Sequence, residues 1–164
     1  MQATHKLTEQ TSLRLPKALD CNQEIALQQA INYYDAVVNM DISRVDNVER
    51  NPERTKKILQ SYARFIGSQT KIPTIKEDVR TSEADTISDA TVSSYIDALK
   101  KIFVVEDCPA WNPNLRSKTA IRTSNTRYFT DPSIAAAAMG IGPQDLINDL
   151  NTTGLFFENL CLRD

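Results

Sequence analysis

Hydrophobic residues recur at helical spacing along much of the chain. Between residues 22 and 45 the apolar positions lie three or four residues apart, which predicts a long helix that Asn22 can cap. The stretch 51–53, Asn-Pro-Glu, predicts a second helix start, because Asn accepts backbone N–H groups and Pro suits the first turn. Gly67 is a suitable end for that helix. Residues 1–20 lack this periodicity and are predicted to be a flexible lead-in.

The middle of the chain predicts two further helices followed by two short strands. Thr74-x-x-Glu77 has the pattern of a capping box and predicts a short helix over residues 75–80. A single apolar stripe predicts a longer helix from Ser88 or Asp89 to Phe103. FVVED and TRYFT then predict a β-hairpin with a loop rich in Pro and Asn between its strands. This order of elements is that of a winged helix-turn-helix, in which the loop would be the wing.

The last third of the chain again predicts helices. Asp131-Pro132 provides a cap and a first-turn proline, and Gly140 a helix end. Gly142-Pro143 predicts one more short helix, which is followed by the terminal stretch GLFFENLCLRD. We predict that this stretch is helical and that its apolar residues are buried against the preceding helices or against another copy of the chain. These residues are Phe156, Phe157, Leu160 and Leu162.

Composition narrows the class of protein. The chain has 164 residues, 41% hydrophobic residues and a net charge of −2, which are ordinary values for a globular domain. Its three cysteines are far apart and form no C-x-x-C pair, so neither a zinc site nor a disulfide framework is indicated. The first residues contain no apolar segment of a signal peptide, and the longest small apolar run, 134–141, is too short to span a bilayer. These features predict a cytoplasmic protein without a membrane contact.

The residues needed for common catalytic sites are missing from the sequence. None of the four glycines is followed by Lys, so there is no phosphate-binding loop of the form G-x-x-x-x-G-K-[ST]. The only histidine, His5, lies in the lead-in, which argues against Ser-His-Asp, Cys-His and histidine-based metal sites. The chain by itself is therefore predicted to be non-catalytic, without a metal or a cofactor.

A strip of basic residues near the hairpin raises the question of nucleic-acid binding. No acidic residue lies between Asp107 and Asp131, and the strip consists of Arg116, Lys118, Arg122 and Arg127. It could contact phosphates or an acidic partner, or it could be a solvated, mobile loop. The helix before it begins with acidic and neutral residues rather than the Arg, Lys, Asn or Gln that base reading needs. Sequence-specific reading of DNA is therefore not predicted.

Two further residues are candidates for contacts with another domain. Trp111 lies in the loop of the hairpin, where it could mark an interface or cover the open end of the hairpin. Arg44 follows the first long helix in the segment DISRVD, where it could pair locally or reach a partner subunit. Both alternatives stay open for each residue.

Three segments together resemble a known family. They are YYDAVVNMDISRVD, then TVSSYIDALKKIFVVEDCPAWNPNLRSKTAIRTSNTRYFTDPSIAAAAMG, and then LFFENL. In this order they resemble the C-terminal module of a large prokaryotic family of AAA+-type ATPases, and the resemblance covers roughly residues 25–164. In that family an ATPase domain precedes a helical and winged-helix region, and a restriction-endonuclease-like domain follows it.

The resemblance implies a mainly α architecture in four parts. These are a flexible lead-in (1–20), a helical bundle (21–70), a winged helix-turn-helix with a short β-hairpin (71–130), and the helical start of a truncated nuclease-like domain (131–164). Glu158 then matches a glutamate of the nuclease-like site whose other members would lie further along. The ATPase domain, with its ATP and magnesium, would belong to the full-length parent. The partner of the present chain would be that ATPase domain, or a second copy of the chain bound through the C-terminal apolar helix.

Two functions from different classes follow. The preferred one is a non-catalytic interaction and regulatory module for the ATPase domain or for a partner protein. The alternative is a winged-helix module that binds DNA non-specifically through its basic wing.

Overall fold

The computed structural model describes residues 23–80, 87–109 and 124–162. Within them the fold is mainly helical, as predicted, with one two-stranded antiparallel sheet. The elements are α1 (Gln23–Ala36), α2 (Ile42–Arg44), α3 (Pro52–Arg64), α4 (Ile72–Val79), α5 (Asp89–Lys101), β1 (Val105–Cys108), β2 (Thr126–Phe129), α6 (Pro132–Met139), α7 (Pro143–Asn148) and α8 (Leu150–Cys161). A π-helical stretch, Val37–Asp41, joins α1 to α2.

Side-chain caps set the start of several helices where the sequence predicts them. The Asn51 side chain accepts from the backbone N–H of Arg54 at 3.1 Å. Ser88 accepts from Thr91 at 3.0 Å, and Asp131 accepts from Ser133 at 2.8 Å. Each bond satisfies a first-turn donor that the helix itself leaves without a partner.

The predicted start of α4 is wrong by three residues. The helix begins at Ile72 rather than at the capping box of Thr74, and the backbone N–H of Thr74 already bonds to the carbonyl of Lys71 at 3.1 Å. Pro73 explains the earlier start. Its fixed φ and missing N–H suit a first helical turn, so the turn forms around the proline and Thr74 lies inside the helix.

One hydrophobic core joins the helices to the sheet. Its buried residues run from Tyr34 to Phe156 and include members from each of the three predicted parts after the lead-in. The rings of Tyr62 on α3 and Phe129 on β2 meet edge to face, with their centroids 5.5 Å apart. The largest fully buried side chains are Tyr62, Phe129, Ile42, Ile58, Leu59, Ile66, Ile75, Ile96, Leu99, Val37, Val38 and Val92.

The predicted hairpin forms, with Val105 opposite Phe129 and Cys108 opposite Thr126. The other edge of β2 is also paired. The N–H of Arg127 bonds to the carbonyl of Ser68 at 3.0 Å, and the N–H of Gly67 bonds to the carbonyl of Arg127 at 2.9 Å. A Cβ on Gly67 would lie 3.1 Å from the Leu155 side chain, and the φ of Gly67 is 71°, so a larger residue at this crossing would be strained and crowded. The chain after α3 thus covers the edge of the sheet.

Candidate interaction surface

Helix α8 is held against the sheet by a polar residue. Asp149 caps the helix by accepting from the N–H groups of Asn151 and Thr152. Asn159, fully buried, donates from Nδ2 to the carbonyl of Phe129 and accepts at Oδ1 from the N–H of Phe129, both at 2.8 Å. The side-chain amide therefore completes the β2 edge as a further strand would.

A second polar contact fixes the same helix. The hydroxyl of Tyr128 donates to Glu158 Oε1 at 2.6 Å. Burial and this carboxylate together raise the pKa of Tyr128, so the phenol remains a donor at neutral pH. Glu158 therefore lies at the junction of α8 and β2. Within the part of the chain that the structure describes, no group of three His, Cys, Asp or Glu side chains is arranged to hold a metal ion.

The two sides of α8 differ sharply in burial. Phe156 and Leu160 are buried against the fold, as predicted. Phe157 and Leu162 are 49% and 45% exposed in the single chain. Phe157 is two residues from Asn159 and so lies on the opposite side of the helix, whereas Leu162 follows the last residue of α8. The prediction that Phe157 and Leu162 are buried could therefore hold only if another molecule, or another part of the protein, covers them.

We call the exposed apolar stripe the outer face of α8. It consists of Leu150, Gly154, Phe157 and Cys161, which recur at i, i+4, i+7 and i+11 and are all exposed. Leu150 is 77% exposed, and the neighbouring Ile147 on α7 is 46% exposed. A surface helix normally turns polar residues to water, so this apolar outer stripe is a candidate contact site.

The segment of chain that contains this face has acidic but no basic residues. From Tyr128 to Leu162 the chain contains four acidic residues and neither Lys nor Arg. Three of the four, Asp145, Asp149 and Glu158, are exposed. Hydrogen bonds from Thr152, through its hydroxyl and its N–H, lower the pKa of Asp149, so this carboxylate stays ionised at neutral pH. The outer face of α8 is therefore an apolar surface on an acidic segment of the chain.

Arg127, a member of the basic strip, lies in the interior. Its guanidinium donates to both carboxylate oxygens of Asp107, at 2.7 and 2.6 Å, and to the carbonyl of Thr70 at 3.1 Å. Lys100 and the Tyr62 hydroxyl donate to the same carboxylate, at 2.6 and 3.0 Å. Arg127 therefore ties the hairpin to α3 and the segment after it, and we do not count it among surface contacts.

The carboxylate at the centre of this network stays ionised despite its burial. Burial by itself would raise the pKa of Asp107, but hydrogen bonds from Lys100 and Arg127 outweigh it and the pKa is lowered. The same surroundings raise the pKa of the Tyr62 hydroxyl, first through burial and then through the charge of Asp107. The hydroxyl is therefore a neutral donor at all ordinary pH values.

The other residues singled out from the sequence lie apart from α8 or outside the described residues. Arg44 is 74% exposed and 3.9 Å from Asp41, which is the local pairing that the sequence suggested. Residues outside the described ranges are Trp111 and the remaining strip, Arg116, Lys118 and Arg122. The predicted lead-in, 1–20, is outside them as well.

Comparison with known proteins adds a family but no activity. A family model described as a domain of unknown function (DUF8612) matches residues 15–145. The chain belongs to this family. The DUF8612 match includes β2 and the Arg127–Asp107 network, and it ends before α8 begins. Searches of curated proteins and of solved structures gave no match.

Sequence reasoning gave no role to Asn159, although a signal was present. Asn159 lies on the stripe of Phe156 and Leu160, at i+3 and i+4 spacing. A polar residue inside an apolar stripe indicates a buried hydrogen bond. Within the described residues no helix is long and apolar enough to cross a membrane.

Proposed function

We propose that this chain is a non-catalytic interaction and regulatory module that binds a protein partner through the outer face of α8. The observation that carries the proposal is the exposure of Leu150 and Phe157 on a helix that Asn159 holds firmly to the sheet. A helix fixed in this way keeps its apolar residues in water, and burying them against a partner is favourable by about 25 cal/mol per Å². Exposed aromatic side chains of this kind act as anchors in interfaces.

The fold supports a winged-helix assignment within this proposal. The elements α3, α4, α5, β1 and β2 follow the order of a winged helix-turn-helix. The pairing of Gly67 and Ser68 with Arg127 adds a short third strand-like segment to the hairpin. An arrangement in which the helices and the sheet share one core suits a module that transmits a contact rigidly.

The sequence resemblance supports a specific kind of partner. In AAA+-type ATPases that this chain resembles, the module follows an ATPase domain, which would be the natural partner in the full-length parent. ATP and magnesium would be bound by that domain and not by this chain. Isothermal titration calorimetry of the 164-residue chain with Mg-ATP is expected to show no binding, and measurable binding would contradict the non-catalytic part of the proposal.

DNA binding through the wing stays a prediction. The exposed residues of α5 include Asp89 and Asp97, whose charges oppose phosphate contacts. Arg127 is engaged in the interior, which leaves Arg116, Lys118 and Arg122 as the basic strip. An anisotropy titration at low salt tests the alternative, and unchanged affinity after charge reversal at Arg116 and Lys118 would reject it.

Photo-crosslinking tests the interaction module directly. A photoreactive phenylalanine analogue at position 157 is expected to give a discrete covalent adduct with a protein in the producing cells, because this ring lies on the outer face of α8. The matched control is the same analogue at the exposed position Gln60 on α3, which should give no discrete adduct. Equal labelling from both positions, or none from position 157, would reject the proposed surface.

A further inference from the structure

The end of α5 contains a residue that its conformation does not favour. After Ile102 the chain turns into the left-handed region at Phe103, whose φ is 56°. The N–H of Phe103 bonds to the carbonyl of Lys100 at 3.0 Å, and the N–H of Val104 bonds to the carbonyl of Leu99 at 3.0 Å. These two bonds form a Schellman motif, in which the left-handed position is usually glycine.

The same chain contains this motif with its usual residue. At the end of α6, Gly140 has a φ of 66° and bonds to Ala137, and Ile141 bonds to Ala136, both at 3.1 Å. The two helix ends have the same pattern of hydrogen bonds and differ in the residue at the left-handed position. Gly140 adopts this conformation without strain, whereas the Cβ of a bulky residue makes it unfavourable.

Packing of the Phe103 side chain within the chain does not offset the free-energy cost of its left-handed backbone conformation. Phe103 is 76% exposed, while its neighbours Leu99 and Val104 are fully buried. A conformation that costs free energy and leaves an aromatic ring in water is typical of a residue kept for a contact. Phe103 is therefore a candidate anchor for another molecule.

The charge beside Phe103 is opposite to that of the outer face of α8. Lys100 and Lys101 precede Phe103 in the last turn of α5. Lys101 is exposed, and Lys100 bonds to Asp107. Lys101 also interacts electrostatically with Asp46. The exposed Lys101 beside a protruding ring complements an apolar stripe on an acidic segment, and opposite charges steer two such surfaces together.

We propose that Phe103 of one copy of the chain packs on the outer face of α8 of a second copy, close to Leu150 and Phe157. The proposal rests on the proposed function and names the partner as this chain itself. Because the two surfaces lie on different elements, each copy contacts one neighbour through Phe103 and another through α8. Such a head-to-tail contact extends to a ring or an open chain of copies, rather than stopping at a symmetric dimer.

Two variants separate the two halves of this contact. Phe103→Gly removes the ring and suits the left-handed backbone, so the fold is retained and the melting temperature should not fall. Leu150→Gln with Phe157→Gln makes the outer face of α8 polar. In sedimentation velocity, the wild type is expected to self-associate with rising concentration, more strongly at low salt. Each variant alone should associate at least about tenfold more weakly, as expected for the loss of an anchor residue.

Mixing the two variants gives the decisive measurement. The Phe103→Gly chain keeps an intact α8 face, and the Leu150→Gln/Phe157→Gln chain keeps an intact Phe103, so together they should form one-to-one dimers and nothing larger. A wild type that stays monomeric at its highest soluble concentration would overturn the inference. Self-association lost in the α8 variant but unchanged in Phe103→Gly would overturn it too, while leaving the proposed function of α8 intact. A crosslink from position 157 to a different protein, without crosslinks between copies of this chain, would also overturn the inference and leave the proposed function of α8 intact.

Discussion

Replacing Asp107 by Asn is expected to lower the free energy of unfolding by about 3–5 kcal/mol. The side chains of Asp107 and its partner Arg127 are each only 9% exposed, and both carboxylate oxygens accept from the same guanidinium nitrogen, Nη1. An asparagine keeps the shape but removes the negative charge, and its NH₂ group would face the donors of Lys100 or Arg127. The guanidinium would then be a buried charge without a counterion, which is the costly half of a broken buried pair.

Urea denaturation followed by circular dichroism measures this loss. The matched control is Asp78→Asn, because Asp78 bonds to Arg64 at a similar distance, 2.6 Å, but the Arg64 side chain is 53% exposed. Solvent screening limits such a pair, so the control is expected to change stability by less than about 1 kcal/mol. Equal effects of the two substitutions would show that the Asp107 network adds no more than a surface ion pair.

The same network predicts how stability depends on pH. The pKa of Asp107 is lowered in the folded state, so its contribution is fully present above the unfolded value of about 3.9. This contribution to stability is lost as the pH falls through the folded pKa of Asp107, because the carboxylate is then protonated in the native state and the ion pair is broken. The wild type should therefore lose stability more steeply than Asp107→Asn between about pH 5 and the acid limit. Parallel pH profiles for the two proteins would contradict this role.

Local chemistry explains which parts of the fold the sequence could predict. The caps at Asn51 and Asp131 use bonds between residues two or three apart, so their patterns are visible in a short stretch of sequence. The hairpin is likewise indicated by two runs of strand-forming residues. The start of α4 was missed because two local signals compete there, and the proline outweighs the capping box.

Contacts between distant segments explain the features that the sequence left open. Arg127 looked like part of a surface strip because no acidic residue lies between Asp107 and Asp131. Its burial instead depends on contacts with Asp107 and Thr70, which are distant in sequence. The strain at Phe103 gave no sequence signal, because a left-handed position is usually recognised by Gly or Asn. Four apolar residues of the terminal stretch were predicted to be buried against the preceding helices or against another copy. Phe156 and Leu160 are buried within the chain, whereas Phe157 and Leu162 are exposed in it.

Replacing Asn159 by Leu is expected to release α8 from the sheet and to cost about 2–5 kcal/mol. Leucine has a similar size but cannot bond to Phe129, so the N–H and the carbonyl of that residue would lose both of their partners on this edge. Each buried backbone group without a partner costs about 1–3 kcal/mol. If α8 detaches, water can satisfy the backbone groups of Phe129, but Phe156 and Leu160 become exposed. The free energy of this detachment is the largest loss that the substitution can cause.

Hydrogen exchange at the Phe129 amide measures this release at the bond concerned. In the wild type the amide should exchange slowly, and in Asn159→Leu it should exchange at least about tenfold faster, since even 1.4 kcal/mol changes an opening equilibrium tenfold. The matched control is Asn151→Leu, the same substitution at an exposed position of α8, which should leave the exchange rate nearly unchanged. Because Asn159 helps to hold α8 and its outer face on the sheet, the crosslink from position 157 should also weaken in Asn159→Leu. An intact crosslink together with fast exchange at Phe129 would show that the partner binds α8 after it has left the sheet.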